Sequence, residues 1–451
     1  TNYETQAAAA TDLGGIEISR NRLVITIGLA TITYNPTATA IIIAAGDAKA
    51  PIVAQAIQQQ KSPQYPASVL QDLPHARFYL TRRAASHLVE RQFADFDSAS
   101  KPGREDVEGT VISLALRKDK ALSELTEEDF SDDRFTSALL RKTGSTPREL
   151  SENVRDSIVE KIQSGLNQVS GTNFLHTEPH HDDVMLAYMA HIYHLVRDAS
   201  NKHYFANLTS GFTSVSNAYF LGVIQKLEKY LGTQEFAALL KSGSFESRND
   251  LAHMEDVYCY LDGAAEHNEE RKGEAEARRL LRNLCDVCRT TDMTAIRLRI
   301  RELHDYLAAQ YPGAKDPPDI QTLKGTLREF EVELLWAYLG IESSSVFPLR
   351  LGFYKGDIFS EEPEVDRDVL PIFGLMKKVK PNVVSVEFDH EGSGPDTHYK
   401  ALQAVAEALK LYEKESGDSS VRVWGYRNVW YRFTPSEANI MIPVSLNSLS
   451  M

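Results

Sequence analysis

Two hydrophobic rhythms alternate along the chain. One is a short apolar, β-branched run of strand length, and the other has apolar residues recurring every three or four positions, as on one face of a helix. Residues 23–32 and 76–81 read as strands, and 38–45, with Ile41, Ile42 and Ile43 in a row, reads as a fully buried one. Residues 48–60 and 83–93 read as helices between and after them. The rhythm returns further on. Strands are predicted at 173–177, 204–209, 346–351, 383–388 and 421–426, and helices at 185–197, 218–230, 322–340 and 399–413, with Gly340 stopping the third of these. Strands spaced by single helices call for a parallel sheet covered on both faces, hence an α/β fold.

Three segments follow. Residues 1–95 form a partial α/β unit. Residues 96–151 read as a linker with short helices rather than a core, with Pro102-Gly103 and an acidic stretch around 124–133 breaking the pattern. Residues 152–451 form a second α/β domain with a Rossmann-like, mostly parallel sheet, interrupted at about 232–312 by a helical insertion rich in Arg and Glu.

Composition narrows the function. The 451 residues carry 49 basic and 63 acidic side chains, a net charge of −14, which excludes the electrostatic footprint of a nucleic-acid binder. No apolar run approaches the ~20 residues of a membrane span. The first residues, Thr1-Asn2-Tyr3-Glu4, lack the basic and apolar regions of a secretory signal. With 3 cysteines, a disulfide framework is not expected, and a cytoplasmic location is. Cys285 and Cys288 form a lone Cys-x-x-Cys without the second pair of a structural zinc site, and its spacing suits one face of a helix.

The chemistry concentrates in two loops. Glu178-Pro179-His180-His181-Asp182-Asp183 follows one predicted strand and precedes a helix. Asp389-His390-Glu391-Gly392-Ser393-Gly394-Pro395-Asp396-Thr397-His398 does the same after another. Both belong at the carboxyl edge of a parallel sheet, where open α/β folds bind ligands. Imidazoles and carboxylates converging there supply the donor set of a catalytic metal, with one carboxylate spare as a base. Solvated helix-capping turns are the plainer reading of either loop alone.

His180-His181-Asp182-Asp183 resembles the His-Pro-Asp-Asp motif of the LmbE-like (PIG-L) de-N-acetylases. The resemblance implies a zinc hydrolase in which His180 and Asp183 ligate Zn2+ and Asp182 is the general base. The family's distal motif falls on Pro395-Asp396-Thr397-His398, making His398 the third ligand. Pro395 then stands where the family has a histidine that assists the oxyanion, a job left to His390 or His181 or dispensed with. Asn207-Leu208-Thr209-Ser210-Gly211 is similar to the family's second strand and turn. Arg328 and Asp357 fall where the family has substrate-binding residues. The resemblance runs over about 170–440.

The first segment resembles the end of glucosamine-6-phosphate deaminase/isomerase proteins, on Gly46-Asp47-Ala48-Lys49-Ala50 and Pro66-Ala67-Ser68-Val69-Leu70-Gln71. Lys49 corresponds to a sugar-phosphate contact, and a solvated lysine in a helix's first turn is the plainer reading. That family's Asp-Gly-His acid/base motif is absent from the chain. The abrupt start, without Met, suggests a fragment of a longer fusion. Together the resemblances imply a metal-dependent hydrolase taking the acetyl group from an N-acetylglucosamine-type sugar, phosphorylated or not, with self-association open. The alternatives are a sugar-phosphate-binding regulatory or scaffolding protein, and glucosamine-6-phosphate deaminase in a longer parent chain.

Overall fold

The computed structural model describes residues 27–46, 49–245, 250–310, 314–356, 360–388, 396–417, 419–427 and 432–450. In the first segment, β1 (Ile41–Ala44) pairs in parallel with β2 (Arg77–Leu80), flanked by the helix Ala50–Gln58. Three expectations need correction here. The described end of the 23–32 run is a short helix, Leu29–Thr33, whose Thr33 hydroxyl donates back to the Leu29 carbonyl (3.2 Å), so local bonds replace a sheet ladder. β1 is not buried: Ile41 is 64% and Ile43 78% exposed, because no described element covers that face. The helix expected at 83–93 starts later, at Val89–Ser98, because residues 81–85 fold into a turn held by Thr81.

Residues 96–151 are also more than a linker. The helices Arg104–Lys118, Glu127–Asp132, Arg134–Thr143 and Pro147–Leu166 close around Val111, Leu114, Phe130, Leu139, Leu150 and Val154. The polar-looking sequence hid this core because its large apolar residues are spread over four helices separated by polar and acidic stretches. A buried Lys161–Glu108 pair (2.5 Å), inside this bundle, also ties it to the Pro435 carbonyl near the chain's end (2.8 Å).

The larger unit is an α/β fold with a five-stranded, wholly parallel sheet of order β5-β4-β3-β6-β7: β3 is Asn173–Glu178, β4 Lys202–Asn207, β5 Val346–Pro348, β6 Val383–Glu387 and β7 Arg422–Tyr426. Alternation along the strands sends residues to two covered faces. Leu175, Ala206, Val384 and Val386 pack under the helices Leu370–Val379 and Asp396–Ser416. Phe205 and Val346 pack on the other face with Trp336 of Pro318–Tyr338 and with Val184 and Ile192 of Asp183–Leu195. The described elements within 232–312 are all helical. Their core joins Asn217–Tyr230 to Glu269–Cys288, Met293–Ala309 and Pro318–Tyr338, and Cys285 is buried within it. Among the described residues, no helix is long and apolar enough to cross a membrane.

The chain enters the sheet at central β3, builds outward through β4 and β5, then returns to the other side of β3 with β6. The order therefore reverses between β3 and β6, and in open α/β sheets ligands bind beyond the carboxyl ends of the strands at such a point.

Candidate metal centre

The described ends of both chemistry-bearing loops lie at that edge of the sheet. β3 delivers His180 and Asp183, the latter as the first residue of the Asp183–Leu195 helix, and the helix after β6 delivers His398 in its first turn. One ligand atom from each of the three lies within 4.8 Å of the others. Asp183 Oδ2 is 3.7 Å from His180 Nδ1 and 3.9 Å from His398 Nε2. Asp183 and His398 are buried, and His180 is half-buried. Two imidazoles and a carboxylate at this spacing suit a borderline cation such as Zn2+.

The electrostatics fit the same use. Burial alone would raise the Asp183 carboxyl, but His398 and His180, with the His180 backbone N–H (2.8 Å), hold it below its ordinary value. Burial lowers the His180 imidazole, leaving a neutral donor. Behind His398, Glu387 Oε2 lies 2.7 Å from Nδ1, an arrangement that fixes the ring and leaves Nε2 facing Asp183. Glu178, fully buried at the end of β3, is raised well above the carboxylate range, by burial first and then by Asp183 and Asp182. A cation between the three side chains would relieve such a concentration of carboxylates.

Asp182, the sequence-predicted base, is the most exposed carboxylate of the loop and accepts from Arg328 Nη2 at 3.3 Å. Arg328, nearly buried, also donates through Nε to His181 Nδ1 (3.0 Å) and through Nη1 to the Gly211 carbonyl (3.1 Å). His181 Nε2 faces Glu331 at 3.2 Å, so its ring is held between a cation and an anion. Gly211 sits at φ +55°, and a Cβ there would come 3.0 Å from His180 Cδ2 and 3.1 Å from Arg328 Cζ. Only glycine allows this turn and this approach together. Tyr354 lies edge-on to His180, with ring centroids 5.6 Å apart, and its hydroxyl pairs with Thr213 (2.8 Å).

Of the residues singled out from sequence, His180, Asp182, Asp183, Arg328 and His398 therefore share one edge of the sheet. Lys49 does not join them. It is an exposed residue beginning the Ala50–Gln58 helix, and among the described residues no hydrogen bond or ion pair links it to the cluster. Asp357, His390 and Pro395 lie outside the described residues. Glu178, Glu387 and Tyr354 were not singled out. The two glutamates end β3 and β6, and an acid at a strand end reads as a surface residue until the neighbouring strands are in place.

No protein-family model matches the chain, and no solved structure does. The chain is 29% identical over 151 residues to a Bacteroides thetaiotaomicron protein described as glucosamine-6-phosphate deaminase-like. The match takes in 33% of this chain and spans about a fifth, 22%, of that protein's length.

Proposed function

We propose that this protein is a metal-dependent amide hydrolase, with zinc at His180, Asp183 and His398, that removes the acetyl group from an N-acetylglucosamine-type amino sugar. The observation that carries the reading is the convergence of those three side chains at the switch point, with Glu387 orienting one of them. The likeness to a glucosamine-6-phosphate deaminase-like protein supports the amino-sugar class of substrate. The deaminase reading for the parent chain draws on the same likeness, but it gives no role to the three-residue cluster.

When bound, the metal supplies a Lewis acid that lowers the pKa of water toward ~7 and shares charge developing on an amide oxygen. The chain's own residues supply the rest. Asp182, exposed enough to meet substrate, takes the proton from the attacking water and returns it to the leaving amine. Arg328 holds the Asp182 carboxylate in place. His181, aligned by Arg328 and Glu331, stands beside Asp182 as a polar contact for the sugar. Tyr354 and Gly211 form the wall around His180.

The test is metal content by elemental analysis of wild type, His180→Ala and Asp182→Asn, with acetate release from N-acetylglucosamine and its 6-phosphate measured on the same samples. The reading expects about one metal per chain in wild type and Asp182→Asn, and none in His180→Ala. Acetate release should fall by a factor of about 10²–10⁴ in Asp182→Asn, the range for loss of a general acid/base. A wild-type protein that takes up no zinc when it is supplied overturns the reading.

A further inference from the structure

Between the helical insertion and the open edge of the sheet lies a cleft of about 1220 Å³. Its walls come from β5 on one side and from the helices Asp250–Ala265, Glu269–Cys288 and Pro318–Tyr338 on the other. Ligand pockets for single small molecules usually span about 300–1,000 Å³, so this cleft has room for more than one sugar ring. At its inner end Glu329, Pro348 and Arg350 also line a small pocket, too tight to admit water, whose far side is His181 and Arg328 of the candidate metal centre.

Two donors, unpartnered among the described residues, line the cleft. Asn283 is 6% exposed and its Nδ2 has no hydrogen-bond partner. Arg279 is 2% exposed and its Nε has none. A buried donor left without an acceptor is costly, so two in one cleft are a standing demand for a ligand. A hydroxyl or an acetamide carbonyl accepts from either.

The charge of the walls separates ligand classes. Arg350 is held by Glu329 through two bonds (2.5 and 2.6 Å), and Arg279 by Glu333 (2.8 Å). At the rim, Arg289 and Lys378 are offset by Asp286 and Glu342. A lining neutral overall gives an anion such as a sugar phosphate no net attraction. A peptide strand on the β5 edge is also disfavoured. Pro348 has no N–H, and the Val346 N–H is taken by the Ser343 carbonyl.

We propose that the cleft is a binding site for a neutral oligosaccharide of two or more rings, held by the Asn283 amide, with one end at the Arg350–Glu329 pair that parts the cleft from His181. Binding in the cleft stands on these observations alone. A part for that end in catalysis rests on the function proposed above.

The experiment is calorimetric titration of the full chain carrying His180→Ala, so that neither hydrolysis nor metal enters the readout. The probes are triacetylchitotriose, N-acetylglucosamine and glucose 6-phosphate. The trimer is expected to bind at least about tenfold more tightly than the monomer, with affinity indifferent to salt. Asn283→Leu should lose about tenfold, the worth of one buried hydrogen bond. Ser344→Trp places bulk at an exposed rim position without touching a core, and it should block the trimer while leaving the thermal midpoint unchanged. Equal binding of trimer and monomer, tightest binding of the phosphate with steep salt dependence, or a Ser344→Trp protein that binds the trimer unchanged would each overturn the proposal. Because the titration uses the His180→Ala protein, its failure leaves the metal reading standing, and loss of the metal reading leaves the titration interpretable.

Discussion

Ile41-Ile42-Ile43-Ala44 and Val383-Val384-Ser385-Val386-Glu387 are near equals as strings of letters, and both become parallel strands. Their fates differ. Every residue of the second is buried, whereas the first alternates between exposed and half-buried, with Ile43 78% exposed. An apolar, β-branched run specifies an extended backbone, and what lies over it is decided by elements far away in the chain. β6 is covered on one face by the helices Leu370–Val379 and Asp396–Ser416, and it has β3 and β7 on either side. β1 has a single neighbouring strand, β2, among the described residues. The functional residues sit at the end of the covered strand, where burial can reshape their chemistry.

The hardest blow to the covered sheet is removal of Trp336, fully buried and stacked on Phe205 with ring centroids 3.7 Å apart. Trp336→Ala is expected to cost about 3–5 kcal/mol, read as a shift in the urea midpoint with unchanged slope. A cost below about 1 kcal/mol would mean that this face is as loosely supported as β1, and the contrast between the two regions would collapse.

Next in size is the pairing that burial makes possible at the end of β6. Glu387→Gln keeps the shape but removes the charge facing His398, and it should weaken zinc affinity about 10- to 100-fold. Competition with a chromophoric chelator measures this, with circular dichroism confirming the fold. Unchanged affinity would reduce Glu387 to a buried strand end with no bearing on the metal.

Glu387 also shows where reading the chain stops. The parallel sheet and the two loops at its edge were legible, because strand–loop–helix rhythm is local and His180, Asp183 and His398 announce themselves by residue type. Glu387 and Glu178 were not, since an acid ending a strand reads as a surface residue until the neighbouring strands are in place. The core around Phe130 and Leu139 was missed for a related reason: it is assembled from four separate helices, each contributing one or two large apolar residues to a segment that is otherwise polar and acidic.

The covered sheet also carries a pH signature that β1 and β2 lack the burial to produce. His176 is fully buried, 3.0 Å from His203 and 2.7 Å from the Tyr188 hydroxyl, which donates to Ser385. Burial holds His203 down to about 4 and pushes His176 well below 6.5. Near pH 6.5 and below, the unfolded chain therefore binds protons that the folded one refuses, and stability falls as pH drops from 6.5 toward 4. Above 6.5 the contribution is complete. His203→Gln should flatten this part of the stability–pH curve, measured by denaturant midpoints between pH 7 and 4.5. Parallel curves for wild type and variant would show that the pair titrates alike in both states.

The smallest effect belongs to β1 itself, and it is the sharpest test of the comparison. Ile43→Thr removes apolar surface that water already reaches, keeps a β-branched side chain suited to a strand, and leaves the β1–β2 ladder intact. The expected change is within about 0.5 kcal/mol, whereas Val384→Thr in the interior of β6 buries a hydroxyl with no partner provided and should cost about 1–3 kcal/mol. Thermal midpoints of the two variants decide it. If Ile43→Thr costs as much as Val384→Thr, the exposed face of β1 is covered in solution, most simply by a second copy of the chain. Its cost should then grow with protein concentration, as a monomer's does not.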